Sequence, residues 1–278
     1  MNYEYEYFNS WNEFLTHLES ADISHVDDPS SLKTSKPEWY GTPSFNAAIE
    51  LARSGDQNHM PTVEGLVAKI MPTLHDTVAK RNSYKWSVTG GSVNVGRMMS
   101  GDPRAMRKRV KVPSAIQHKA LRISVPMQWS AREHAPNIIK TGAAIVALTK
   151  LLLNANYPVE IVGTATYNPT NGQRDYQAVT DVVLKRSDET LDIPKLLMAC
   201  AHPSSFRRLG FRLMESWTGD KHDRYISSYG LITADRPKDD FDIVISGVHG
   251  SYNRIAADPV GWITKTLGEL GVLKESHQ

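Results

Sequence analysis

Eight basic residues and no carboxylate lie between Asp102 and Glu133: Arg104, Arg107, Lys108, Arg109, Lys111, Lys119, Arg122 and Arg132. Unopposed cations in that density neutralise phosphates, which gives affinity for a nucleic-acid backbone without reading its bases. Trp129 lies inside the run, with Tyr84 and Trp86 shortly before it. Exposed rings stack on unpaired bases, so the chemistry indicated is binding of nucleic acid, with single-stranded DNA favoured. The nucleic-acid-binding set expected from sequence is those eight cations together with Trp129. A second basic group, Arg207, Arg208 and Arg212, reads differently. Its spacing puts Arg208 and Arg212 one turn apart on a helix, as an outer face paired with acids such as Glu215.

Other reactive side chains do not assemble into a catalytic signature. The ten histidines, His118, His134, His202, His222 and His249 among them, show no metal-ligand spacing. Asp27-Asp28 and Asp239-Asp240 are adjacent pairs in expected loops, and Ser204-Ser205 and Ser227-Ser228 lack the strand-turn-helix setting of a nucleophile. The glycines at 90, 91, 96 and 101 are followed by no Lys-Ser/Thr and precede no dinucleotide-type helix, so they read as tight turns. Cys200 is the single cysteine. It excludes an internal disulfide and a cysteine zinc site, and the apolar run around it marks it as a buried small residue. No enzyme, cofactor or metal is expected.

A chain of 278 residues with 40% hydrophobic content can bury a core of one large domain or two modest ones. Net charge is only +2, so the basic run is a local feature. No apolar run approaches ~20 residues without polar interruption, and Met-Asn-Tyr-Glu-Tyr-Glu-Tyr lacks the basic and apolar parts of a signal peptide. A cytoplasmic protein without membrane partners is expected.

The elements that must position these residues follow from periodicity. Residues 120–126 and 159–167 alternate as strands, and 138–153 between them is apolar on nearly every face, with Pro136 in the first turn. Such a unit is normally parallel and right-handed. Residues 3–7 read as a strand, Ser10 and Glu13 as a capping box, residues 22–37 as a surface loop, and Ser44 to Gly55 as a short capped helix. A helix over about 63–78, kinked or broken at Pro72, comes next. Further on, 177–185 reads as a strand, 192–201 as a helix capped by Asp192, and 204–217 as its continuation after Pro203, with Phe206, Leu209 and Leu213 inward. Phe241 to Ser246 reads as a central parallel strand, and 259–273 as an amphipathic helix. The expected fold is an open, mostly parallel α/β sheet with helices on both faces over 113–278, behind a smaller α+β region over 1–112.

From Ala120 onward the order strand, long buried helix, strand, strand, helix, strand, helix resembles a von Willebrand factor A-like domain. Leu121-Arg-Ile-Ser-Val125 through Val159-Glu-Ile-Val-Gly-Thr-Ala-Thr166 carries the resemblance, with Asp242-Ile-Val-Ile-Ser-Gly247 as a later strand. Ser10-Trp-Asn-Glu-Phe, Trp39-Tyr-Gly-Thr-Pro-Ser-Phe and Gly101-Asp-Pro-Arg-Ala-Met resemble a family of uncharacterised bacteriophage proteins. A-like domains hold a cation through Asp-x-Ser-x-Ser after the first strand, because a hard cation needs oxygens at fixed spacing. Here that stretch is Pro126-Met-Gln-Trp-Ser-Ala-Arg132, and only Ser130 matches a ligand. The resemblances imply a metal-independent, phage-encoded protein of the host cytoplasm. Taken with the basic run and the absence of a catalytic signature, the expectation is a non-enzymatic DNA-binding accessory protein, one specific version being a transcription accessory that recruits a phage RNA polymerase to its template; the alternative is a protein-interaction scaffold.

Overall fold

The computed structural model describes residues 2–74, 78–115, 118–130, 132–169, 175–225, 229, 240–247 and 250–273. Ser227, Ser228, Asp239 and His249 lie outside them. The elements in chain order are β1 (Asn2–Phe8), α1 (Trp11–Ser20), α2 (Pro37–Tyr40), α3 (Phe45–Ser54), α4 (Met60–Ile70), β2 (Val78–Ser87), β3 (Ser92–Val93), α5 (Val95–Met99) and β4 (Met106–Ala115). They continue with β5 (Leu121–Pro126), α6 (Ala135–Asn154), β6 (Val159–Tyr167), β7 (Tyr176–Lys185), α7 (Ile193–Ala201), α8 (Phe211–Ser216), α9 (Gly219–Tyr225), β8 (Ile243–Val244), α10 (Ser251–Ala257) and α11 (Pro259–Glu269).

A five-stranded sheet in the order β1-β7-β6-β5-β8 forms the centre, flanked by helices. Leu121 pairs with Val159 in the parallel β5/β6 ladder, β8 adds to β5 in parallel, and β1 runs parallel to β7. Only the β6/β7 neighbours are antiparallel, as the short connection between them requires. Crossing from β5 to β6 takes α6, whose first turn holds Pro136 and whose residues are mostly buried. By length and composition α6 could cross a membrane, but the protein itself buries it as a core helix. Gly142 lets it approach α7 so closely that a Cβ there would lie 2.3 Å from the Ala201 Cα.

Local chemistry explains the flanking helices. Ser10 Oγ accepts the Glu13 N–H at 3.1 Å while Glu13 accepts the Asn9 N–H at 2.7 Å, and α1 then buries Trp11, Phe14, Leu15 and Leu18. Ser44 caps α3 in the same manner, and Asp192 caps α7.

Four expectations are corrected. The helix expected over 63–78 is broken rather than kinked at Pro72 and does not resume: it ends at Ile70, Pro72 sits in a single 3-10 turn and Val78 opens a strand, because a proline cannot continue the hydrogen-bonded spiral. Residues 243–244 form a strand at one end of the sheet among the described residues, rather than a central one. A boundary at 112/113 would separate β1 from its partner β7, yet one hydrophobic core runs from Phe8 to Val272. Finally, Arg207 and Arg208 are buried, not on an outer face. Residues 205–210 take the wider π turn, which shifts the helical register so that Phe206, both arginines and Leu209 all face inward.

His202, between α7 and that π turn, yields a pH prediction. Its Nδ1 accepts the Ser204 N–H at 3.3 Å, which keeps the ring oriented. Burial lowers its pKa from 6.5 to about 4, against the pull of Asp56 and with the help of His59. The unfolded chain therefore takes up this proton near 6.5 and the folded chain only near 4, so stability falls as pH drops through that window. The expected loss is about 3 kcal/mol. Chemical denaturation of His202→Gln between those limits should show a flatter pH dependence than the natural chain; an equal slope would contradict the assignment.

Candidate nucleic-acid interface

β2, β4 and β3 form a separate antiparallel sheet in the order β2-β4-β3. Val78 pairs with Ala115 where the chain enters and leaves, and Ser87 pairs with Met106 at the far end. Ten-residue strands make this arm about 30 Å long. Among the described residues, none between Leu74 and Leu121 enters the main core. The composition explains this: Lys, Arg and Ser interrupt both strands, so neither offers a continuous apolar run to bury.

Charge is concentrated on the arm. Residues 78–115 hold nine Lys and Arg against one carboxylate, Asp102, while the whole chain is +2, so the rest of the molecule is net acidic. Asp102 is engaged: it pairs with Arg97 at 3.1 Å and accepts the Arg104 N–H at 2.8 Å.

Strand alternation sorts the side chains into two faces. Tyr84 is opposite Arg109 and Trp86 opposite Arg107, so these four share one face. The Arg107 guanidinium lies 4.1 Å from the Tyr84 ring centre, and Arg97 lies 4.5 Å from that of Trp86. Each stack fixes a ring in place, yet Tyr84 stays 55% exposed and Trp86 38%. On the other face Lys85 is directly opposite Lys108. Like charges at that spacing weaken the ladder, and a polyanion binding there would relieve the repulsion.

The basic run of the sequence thus divides. Arg104, Arg107, Lys108 and Arg109 are exposed on the arm, and Lys111 pairs with Asn82 on the same ribbon. Lys119, Arg122 and Arg132 belong to the body. Lys119 is exposed, 3.8 Å from Asp242. Arg122, on β5, donates from Nε to Glu160 at 2.7 Å and stacks over Phe241, so a carboxylate already neutralises it. Arg132 is exposed in the loop before α6. Trp129 is fully buried, 6.2 Å from the Phe206 ring, and the stacking role expected for it is withdrawn: it is a core side chain. Two residues outside the set expected from sequence belong to the site: Lys85, which strand pairing sets opposite Lys108, and Arg97, which α5 carries over the Trp86 ring.

Among the described residues no group of three His, Cys, Asp or Glu converges as a metal site. The Ser130 hydroxyl, the one match to an A-type ligand, accepts the Arg132 N–H at 3.3 Å.

A family model described as "Domain of unknown function (DUF7192)" matches residues 2–274. The chain belongs to this family. No curated protein and no solved structure matches it. The DUF7192 match takes in the arm and the body together, so both lie within the family's domain.

Proposed function

We propose that this DUF7192 chain is a non-enzymatic nucleic-acid-binding accessory protein that takes single-stranded DNA along the exposed face of the arm. The observation that carries the reading is the placement of Arg107 and Arg109 beside Tyr84 and Trp86 on one exposed face. Cations follow a phosphate backbone, and rings between them stack the bases that a single strand leaves open. In the same reading the protein is phage-encoded, works in the host cytoplasm, and brings a phage RNA polymerase to its template through the acidic body. The order of β5, α6, β6, β7, α7 and β8 supports an A-like body that serves as a scaffold; that support is by analogy of fold.

The test is equilibrium binding of labelled single- and double-stranded oligonucleotides across a salt series. With four arm cations on phosphates, the single-strand constant should fall with a log-log slope of about −3, and the duplex of equal length should bind about tenfold more weakly. If neither binds at low salt, the protein-interaction scaffold becomes the reading.

A further inference from the structure

Residues 88–105 close the far end of the arm, and they hold apolar side chains in solvent. Of the twelve large hydrophobic residues exposed among the described ones, seven lie between Tyr84 and Met99. Met99 is 84% exposed, and Met98 and Val95 are each 65% exposed. The other exposed row, Tyr3, Tyr5 and Tyr7 on β1, alternates with Glu4 and Glu6 rather than with cations.

The end of the arm is a built turn. The Asn94 side chain caps α5 by accepting the Arg97 N–H at 3.0 Å, and the Asn94 N–H donates to the Ala105 carbonyl at 2.8 Å. Arg97 joins the turn to the ribbon through Asp102 and the Trp86 ring. Gly90 passes so close to β4 that a Cβ there would lie 2.5 Å from the Arg107 carbonyl oxygen. Two flexible thioether side chains are thus carried outward on a fixed support, and nothing in the fold is gained by exposing them.

Charge decides what covers them. Arg97, Arg104 and Arg107 flank this tip, and its one carboxylate, Asp102, is already paired, so an occupant must be anionic behind an apolar front. A stack of bases flanked by phosphates has that character, and apolar side chains are known to enter between base steps and part them. We propose that Met98 and Met99 form a wedge that unstacks the first base pair where duplex DNA opens into single strand, while the unpaired continuation lies on the Tyr84 and Trp86 face. The ligand is then a duplex–single-strand junction. This rests on the nucleic-acid reading of the arm.

The test uses the full chain and a forked oligonucleotide with 2-aminopurine at the last pair of its duplex. Addition of the natural protein should raise the fluorescence about threefold, as an unstacked base does. Met98→Ser/Met99→Ser should abolish the rise while binding a plain oligothymidylate within about twofold of the natural chain. Both positions are so exposed that melting temperature should not change, and that is checked alongside. An undiminished rise in the double variant overturns the wedge, as does an equal loss on oligothymidylate, which would make the methionines ordinary contact surface. Strand binding with no fluorescence rise sinks the wedge alone; no strand binding at all removes the arm reading with it. Methionine-dependent sedimentation with phosphatidylserine vesicles, without a rise on the fork, would assign the tip to a membrane surface instead.

Discussion

Arg107→Glu/Arg109→Glu should weaken binding of a single-stranded oligonucleotide by about 100-fold at moderate salt, whereas Lys85→Glu/Lys108→Glu should cost only about tenfold. Both double variants reverse two charges on the same two-stranded ribbon, so a field that merely attracts DNA to the arm would respond equally to either. The difference comes from the face. Arg107 and Arg109 share theirs with Tyr84 and Trp86, and Arg107 also holds the Tyr84 ring. Losing them removes phosphate contacts and the support of a stacking platform together.

Salt and strandedness separate the two contributions. The charge reversals should flatten the salt slope by about 1.5, in proportion to the phosphates released. Tyr84→Ala/Trp86→Ala should leave that slope unchanged, lower single-strand affinity by about 30-fold, and barely affect duplex, whose bases are already stacked. Fluorescence anisotropy on both DNA forms checks all of this. Equal effects from the two reversed faces would mean that the sheet's alternation does not organise the site.

Local information is the most legible in the sequence. The β5-α6-β6 unit was legible because alternation, a buried apolar run and a first-turn proline sit within one stretch of chain, and the caps at Ser10, Ser44 and Asp192 because each bonds three residues ahead. The basic run was legible as a string of charges but not as a surface. Nothing near Arg122 reveals that Glu160, 38 positions on, neutralises it, or that the run divides between an arm ending at Ala115 and a body strand starting at Leu121. Trp129 looked like a ring near cations, but tertiary packing placed it beneath Phe206. The unity of the two halves was hidden for the same reason: β1 finds its partner strand more than 170 residues away, Asn2 opposite Tyr176. Arg207 and Arg208 face inward because residues 205–210 form a π turn, which the period of a regular helix does not describe.

Those buried arginines give the largest expected effect on stability. Arg208 Nη1 donates to the carbonyls of Ser31 at 2.8 Å and Lys33 at 2.5 Å, and Nη2 donates to that of Thr42 at 2.9 Å. Its guanidinium lies 4.0 Å from the centre of the Tyr40 ring. Beside it, Arg207 bonds the carbonyls of Trp39 and Glu133, at 2.6 and 2.7 Å. Glu215, also buried, accepts the N–H and hydroxyl of Ser31 and the hydroxyl of Tyr229. Residues 31–42 have little regular structure to satisfy their own carbonyls, so two guanidinium forks do it for them. Arg208→Ala would leave three carbonyls without that donor and a void under Tyr40, at about 4 kcal/mol, or about 10 °C in Tm. Arg208→Lys should recover less than half, because one ammonium cannot span carbonyls that a planar fork reaches from two nitrogens. Differential scanning fluorimetry reads both, with Arg107→Glu/Arg109→Glu, on the arm outside the core, melting within about 1 °C of the natural chain. A small shift for Arg208→Ala would mean that residues 31–42 are held by their apolar contacts. A large shift with unchanged DNA affinity below the transition would place the two basic clusters in separate roles, Arg208 holding the body together and the arm binding nucleic acid.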